Sequence, residues 1–141
     1  MTAPRLDDQL CFALYSASRA VTAAYRPLLA ELNLTYPQYL VLLVLWEEDR
    51  ASVGRLSQRL HLDSGTLSPL LKRLETIGYV TRERSTEDER RVDIVLTPTG
   101  KRLQDKASCV PERLLAASEM SVDEILTLRD AVLRLSNTLN Q

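Results

Sequence analysis

Cys11 lies in the stretch Leu10-Cys11-Phe12-Ala13-Leu14-Tyr15, and two more tyrosines, Tyr25 and Tyr36, follow at informative distances. The thiolate is the nucleophilic and oxidisable form of a cysteine, and phenol hydroxyls can donate hydrogen bonds to its sulfur. These residue types together point to thiol chemistry. The spacing also bears on assembly. If residues 8–30 form one helix, Tyr25 stands 14 residues beyond Cys11, about 21 Å along the axis at about 1.5 Å per residue. A tyrosine side chain spans only a fraction of that. Tyr25 can then meet a Cys11 only in another subunit, or if the helix is broken. The plain alternative is that Cys11 is a small buried hydrophobe, as most free cysteines are.

The element that carries Cys11 reads as a helix capped by Asp7 or Asp8 and running to about residue 31. Leu6, Leu10, Leu14, Ala17, Val21, Ala24 and Leu28 form an apolar stripe at helical spacing. A second, semi-polar stripe holds Cys11, Tyr15, Ser18, Thr22 and Tyr25, which suits a contact surface. Pro27 is expected to bend or tighten the last turn. Thr35-Tyr36-Pro37-Gln38 has the form of a capping box and starts a helix that stops in Glu47-Glu48-Asp49-Arg50.

Ser52 caps a short helix over Val53–Leu60, and Asp63 caps the next over 64–76, which Gly78 ends. Only His61-Leu62-Asp63 separates the two, a helix-turn-helix pattern. His61, the one histidine, reads as a linker surface residue. The period then changes: 79–84 and 91–96 alternate apolar and polar residues as strands do. A charged loop, Ser85-Thr86-Glu87-Asp88-Glu89-Arg90, joins them into a hairpin, the layout of a wing. Thr97-Pro98 starts another helix, in which Cys109 is expected to be helical, two residues before a mid-helix Pro111. Leu103, Val110, Leu114 and Leu115 would share that helix. Ser121 and Glu124 cap a last one, to about 137, with Ile125, Leu128, Val132, Leu135 and Leu139 on its apolar face. The fold class is mainly α with a small β-hairpin wing.

At 141 residues the chain reads as a single domain. The longest apolar run, 39–46, is too short to span a bilayer. The N-terminal residues hold no signal-peptide core. A cytoplasmic protein is expected. Two cysteines in a reducing compartment argue against a permanent disulfide but allow a transient one. No metal is expected with so few ligands, and no cofactor.

The formal net charge of −1 is unevenly spread. Residues 50–91 carry 9 basic and 6 acidic groups, net +3, against −3 for 1–49 and −1 for 92–141. Any electrostatic footprint for nucleic acid lies in the middle. In the helix after Asp63, Leu67, Leu70, Leu71, Leu74 and Ile77 make one face. Ser64, Gly65, Thr66, Ser68, Pro69, Lys72 and Arg73 lie off it. Such a helix can enter a major groove N-terminus first, small groups meeting base edges and the cations meeting phosphate or guanine. Pro69, near the sixth helical position, is expected to bend the helix or make its first turn irregular. In the wing, Arg84, Arg90 and Arg91 face Glu87, Asp88 and Glu89. Asp88 is expected to buttress Arg90 and aim its guanidinium at a minor groove, while Glu87 and Glu89 stay solvated.

Leu62-Asp63-Ser64-Gly65-Thr66-Leu67-Ser68-Pro69-Leu70-Leu71-Lys72-Arg73-Leu74-Glu75 resembles the recognition-helix segment of the multiple-antibiotic-resistance regulator (MarR) family. Asp88-x-Arg90 followed by Val95-Leu96-Thr97-x-x-Gly100 resembles that family's wing signature. Leu10-Cys11-Phe12-Ala13-Leu14-Tyr15 and Leu34-Thr35-Tyr36-Pro37-Gln38-Tyr39 resemble its organic-hydroperoxide-sensing branch, OhrR. The resemblance covers nearly the whole chain. It implies a homodimeric winged-helix repressor on pseudo-palindromic double-stranded operator DNA, with organic hydroperoxide as inducer. It implies a reading lobe over about 36–98 and dimerisation helices over about 6–32 and 98–139. It makes Cys11 the peroxide-reactive residue, Tyr25 and Tyr36 its hydrogen-bonding partners from the other subunit, and Tyr15 a further neighbour. Cys109 would make this a two-cysteine member, with an intersubunit Cys11–Cys109 disulfide.

On that reading Cys11 sits near a helix N-terminus, where the backbone dipole favours negative charge, although Asp7 and Asp8 oppose it. Oxidation to a sulfenic acid and capture by Cys109 would follow. The weakened turn before Pro111 would let Cys109 move, and the reading heads would leave their spacing of about 34 Å. Two other readings stand beside this one. The chain could be a regulator that answers a non-covalent phenolic or carboxylate ligand, with Cys11 incidental. It could also be a thiol peroxidase, though no catalytic base or oxyanion site accompanies Cys11 and the helix-turn-helix would go unexplained.

Overall fold

The computed structural model describes residues 4–140, which divide into two compact units, one ending at Ala107 and one starting at Ser108. The first unit opens with a single 3₁₀ turn, Leu6–Asp8, and then α1, Leu10–Ala30. Asp7 and Asp8 fall in that turn and do not cap the helix. Gln9 holds the N-cap position without a side-chain cap bond, because its amide donates backward to the Arg5 carbonyl. Pro27 lies inside α1, which continues to Ala30. The chain leaves through short bonds from Leu32 N–H to the Leu29 carbonyl and from Asn33 N–H to the Ala30 carbonyl.

α2 spans Tyr36–Glu48, α3 Val53–Leu60 and α4 Ser64–Ile77. Their starts are the ones that the capping residues demand. Thr35 N–H donates to Gln38 Oε1, Ser52 Oγ accepts from Arg55 N–H, and Asp63 Oδ1 accepts from Thr66 N–H at 2.7 Å. These contacts satisfy donors that a helix start leaves open. Gly78 ends α4 at φ +99°, a left-handed conformation that costs glycine little. α4 runs unbroken through Pro69. Its Leu67, Leu71 and Leu74 are buried, while Leu70 and Ile77 are half-buried.

Three strands follow the order β1–β3–β2, all antiparallel, with β1 at Arg50–Ser52, β2 at Val80–Arg84 and β3 at Val92–Leu96. β2 and β3 are the expected hairpin, with Val80 opposite Leu96 and Arg84 opposite Val92. β1 was not anticipated. Three residues are too few to show the alternation by which a strand is read. Leu29, Leu42, Leu45, Leu56, Leu67, Leu71, Leu74 and Ile94 are fully buried and form the core.

α5, Pro98–Ala107, closes this unit and packs on α2 and β3. It approaches the α4–β2 turn so closely that a Cβ on Gly100 would lie 2.2 Å from the Tyr79 carbonyl oxygen. Two more contacts fix that region. Trp46 Nε1–H donates to the Gly100 carbonyl at 3.0 Å, and the buried Tyr79 hydroxyl donates to the Leu32 carbonyl at 2.7 Å.

The second unit holds α6, Val110–Ser118, and α7, Val122–Leu139. One long helix carrying both Leu103 and Val110 was expected. The chain instead breaks at Ser108 and Cys109. Cys109 is the N-cap of α6, and Pro111 stands in that helix's first turn, where its missing N–H costs no helical bond. Pro111 therefore starts a helix rather than weakening one. Ser121 Oγ accepts from Glu124 N–H, and Glu124 Oε1 accepts from Ser121 N–H, the capping box expected for α7. No residue of α7 is buried, and Val122, Leu126, Leu128, Leu133 and Leu139 are exposed.

Candidate functional site

Cys11 is exposed in the first turn of α1. Tyr15, one turn further and on the same face, is 62% exposed, with the Arg19 guanidinium 5.6 Å from its ring centre. The expected apolar stripe of α1 is also uncovered. Leu6, Leu10 and Val21 are exposed, and the one buried residue of the helix is Leu29.

Three other phenols gather elsewhere. Tyr25 from α1 and Tyr36 from the start of α2 have ring centres 4.7 Å apart. Tyr39 lies 5.9 Å from Tyr25 and 6.4 Å from Tyr36, and meets Trp46 edge-on at 6.2 Å. The structure thus brings Tyr25 and Tyr36 together as expected and adds Tyr39. The signal for Tyr39 was its place three residues after Tyr36, one helical turn on; it was hidden in the apolar run of α2. Cys11 is not part of this cluster within its own chain. α1 is continuous from Leu10 to Ala30, so Cys11 and Tyr25 stand about 21 Å apart along it.

Burial, with Tyr36 and Tyr39 close by, pushes the Tyr25 phenol up to about 12. Burial also raises Tyr36, and it raises Tyr39 together with the neighbouring Tyr36. All three therefore keep their protons at neutral pH and can donate hydrogen bonds. A phenol whose value is raised on folding leaves stability intact below its unfolded value of about 10 and erodes it as pH climbs towards the folded value. Unfolding midpoints in urea are expected to hold up to about pH 10 and then fall. Phenolate absorbance should show part of the tyrosine titration delayed. All tyrosines titrating together near 10 would contradict the cluster.

Ser64, Gly65, Thr66, Ser68, Pro69, Lys72 and Arg73 are all exposed on α4, opposite its buried leucines. Asp63, held below the usual carboxylate range by its bond from the Thr66 N–H, fixes the start of that helix. His61 is exposed at φ +55° as the C-cap of α3. Across the α2–α3 corner, Glu47 and Glu48 pair with Arg59, and Glu48 also pairs with Arg55.

The wing departs from expectation in one respect. Asp88 Oδ1 accepts from the backbone N–H of Arg90 at 3.0 Å, not from its guanidinium. An Asp side chain reaches the amide two residues on more readily than a solvated guanidinium, forming an Asx turn. Arg84 Nη1 donates to the Glu89 carbonyl. Arg91 Nε donates to Asp93 Oδ1 at 2.8 Å, and Arg50 bridges Glu83 and Asp93. Of the nine basic groups in 50–91, Arg50, Arg55, Arg59, Arg82 and Arg91 are ion-paired. Among the described residues, Lys72, Arg73, Arg84 and Arg90 have no carboxylate partner. Asp93, buried in β3, was not singled out from the sequence, where it is one acidic residue in a strand of alternating character.

Cys109 is half-buried at the N-cap of α6. Among the described residues no group of three or more His, Cys, Asp or Glu could hold a metal ion, and no helix is long and apolar enough to cross a membrane.

Comparison with known proteins agrees with this layout. Residues 23–107 match the family described as transcriptional regulator SarA/Rot. The chain is 49% identical over 97% of its length to the organic hydroperoxide resistance transcriptional regulator of Bacillus subtilis (strain 168), covering 93% of that protein. Among solved structures, reduced AbfR bound to DNA aligns with a TM-score of 0.81 at 36% identity, over 97% of this chain and 96% of that one. A disulfide-formed AbfR aligns with a TM-score of 0.65 at 38% identity, over 96% and 90%; AbfR is a protein of Staphylococcus epidermidis. With an exposed α4 face, a hairpin wing behind it and this likeness over nearly its whole length, the chain belongs to the MarR/SarA family of winged-helix transcriptional regulators, alongside the organic hydroperoxide resistance regulators.

Proposed function

We propose that this regulator is a redox-sensing repressor. It binds a pseudo-palindromic operator as a homodimer while Cys11 is reduced, and an organic hydroperoxide releases it by oxidising Cys11. The observation that carries this reading is the separation of the phenols from the thiol. Tyr25 and Tyr36 form a protonated donor pair, while Cys11 sits exposed about 21 Å up an unbroken helix. A donor pair and a sulfur that cannot meet in one chain can meet across a twofold axis. The uncovered apolar residues of α1, and separately those of α7, support such an assembly.

The Cys11 thiolate attacks one oxygen of the hydroperoxide O–O bond. That bond breaks, the organic part leaves as an alcohol after taking a proton, and sulfur is oxidised by two electrons to a sulfenic acid. The Cys109 thiol of the partner subunit then attacks that sulfur, a disulfide forms and water leaves. A disulfide requires Cα atoms within about 7 Å, so closing it draws a helix start of one chain onto a helix start of the other. That movement would take two reading heads out of register with operator half-sites about 34 Å apart. AbfR, solved reduced on DNA and also in a disulfide form, supports a reversible thiol, and its overoxidised form bound to DNA is consistent with release through the disulfide rather than through sulfur oxidation alone.

Fluorescence anisotropy on a duplex selected from a random library tests the reading. Wild type should bind it, and cumene hydroperoxide should release it. Unchanged affinity after oxidation would contradict the proposal. The DNA surface has its own test. Lys72 is exposed and, among the described residues, has no carboxylate partner. Lys72→Ala should weaken binding to all sequences alike and lower the magnitude of the log K–log salt slope by about 2 per dimer. An unchanged slope would remove Lys72 from the phosphate contacts.

A further inference from the structure

Asp93 is the charged residue of the sheet that lies inside it. Its side chain is 8% exposed, and it sits at the centre of the three strands, opposite Ser52 on β1 and Glu83 on β2. A carboxylate withdrawn from water in this way needs cationic partners, and Asp93 has two. Arg91 Nε donates to its Oδ1 at 2.8 Å, and Arg50 Nε lies 3.4 Å from its Oδ2. The two arginines differ in what remains. Arg50 spends a terminal nitrogen on Glu83 at 2.6 Å. Arg91 is held only at Nε, its side chain is 49% exposed, and among the described residues its two terminal nitrogens make no hydrogen bond. A guanidinium fixed at Nε keeps a planar pair of donors facing away from its anchor, the geometry that forks a phosphate.

We infer that Asp93 is a positioning residue for DNA binding: it orients Arg91 at the base of the wing so that the arginine's terminal nitrogens clamp a backbone phosphate. This gives Asp93 and Arg91 the buttressing arrangement that Asp88 does not supply to Arg90, and it rests on the DNA-binding reading above. The neighbouring cavity of about 360 Å³, lined by Ser52, Val53, Gly54, Arg90, Arg91 and Val92, leaves open space beside that guanidinium.

The sign of one substitution separates orientation from bulk charge. Asp93→Asn removes a negative charge from each protomer, so charge alone would tighten DNA binding. The proposal gives the opposite result. Asp93→Asn loosens Arg91, affinity for the library-selected duplex falls about tenfold, and the salt slope loses about 2 in magnitude per dimer. Arg91→Ala should show the same slope change, and in that background Asp93→Asn should cost nothing further. Arg91→Lys provides a second route if the asparagine variant does not give a cooperative melt. It keeps the charge but cannot be held at one nitrogen while offering two others, and it should weaken binding as Arg91→Ala does. Asp93→Asn binding as tightly as wild type or more tightly, equal losses with and without Arg91, or full affinity in Arg91→Lys would each overturn the inference. Wild type failing to bind any duplex would instead remove the DNA reading itself.

Discussion

Cys11→Ser is expected to bind operator as wild type does and to stay bound at a hydroperoxide dose that weakens wild type by about a hundredfold, a difference of about 2.7 kcal/mol. The change is nearly isosteric at an exposed position, so folding and basal affinity should hold. A serine hydroxyl is not ionised near neutral pH and does not attack the O–O bond, so no sulfenic acid and no disulfide can form. The two forms of the protein then have no covalent difference through which to separate. Anisotropy titrations of both proteins, before and after cumene hydroperoxide, measure this. Release of Cys11→Ser at the wild-type dose would place the responsive group elsewhere, and release by a phenolic acid without oxidant would favour a non-covalent inducer.

Gly100→Ala should be the most damaging small substitution in the winged unit, at about 3 kcal/mol. The added methyl would lie 2.2 Å from the Tyr79 carbonyl oxygen, 3.1 Å from its carbonyl carbon and 3.1 Å from Leu96 Cδ2. Two of those three neighbours are backbone and cannot swing aside. The Tyr79 carbonyl also accepts from Thr97 N–H, and the Tyr79 hydroxyl is tied to the Leu32 carbonyl. On the other side the Gly100 carbonyl accepts from the Trp46 indole. Relief of the clash therefore means giving up one of these contacts or moving α5 from the sheet. Gly54→Ala is the control. Its methyl would meet only Ser52 Oγ at 3.9 Å on an exposed helix, and it should stabilise by up to about 1 kcal/mol. Urea midpoints report both. A Gly100→Ala midpoint equal to wild type would contradict the packing described.

Much of the fold was legible because the helix starts are chemically explicit. Ser52, Asp63, Thr35 and Ser121 sit where side-chain oxygens meet open N–H groups, and the switch to two-residue alternation after Gly78 announced the hairpin. What escaped was decided by contacts between distant residues. β1 exists because Arg50, Ala51 and Ser52 pair with Val95, Ile94 and Asp93, a partnership absent from any local pattern. The break at Cys109 turned on whether Pro111 interrupts a helix or begins one, and periodicity is compatible with either. Asp7 and Asp8 were reasonable caps by type, yet the chain used the 3₁₀ turn they sit in to enter α1 at Leu10.

The candidate site was legible by type and less so by pairing. Tyr25 follows from its spacing to Cys11 and Tyr36 from the family resemblance, and the reach argument for Tyr25 holds because α1 is continuous. Tyr39 was masked by the apolar residues around it in α2. In the wing, Asp88 is expected from the sequence to hold the Arg90 guanidinium, whereas Asp88 binds backbone and the buried Asp93 holds Arg91. Both acids lie two residues from their arginine, so spacing does not separate them: Asp88 sits in the turn, where it caps a backbone N–H, and Asp93 sits in β3, where the strand sets which side chains it can meet.

On this mechanism the reacting sulfurs belong to different subunits. Co-expression of a Cys11→Ser chain with a Cys109→Ser chain, one of them tagged so that the mixed dimer can be isolated, tests it. That heterodimer holds one Cys11 and one Cys109, always on opposite chains. After cumene hydroperoxide, a non-reducing gel should show the mixed dimer cross-linked, with reductant reversing the band, while neither single-variant homodimer cross-links through this pair. A mixed dimer that stays un-cross-linked while wild type forms a disulfide within one chain would contradict the account.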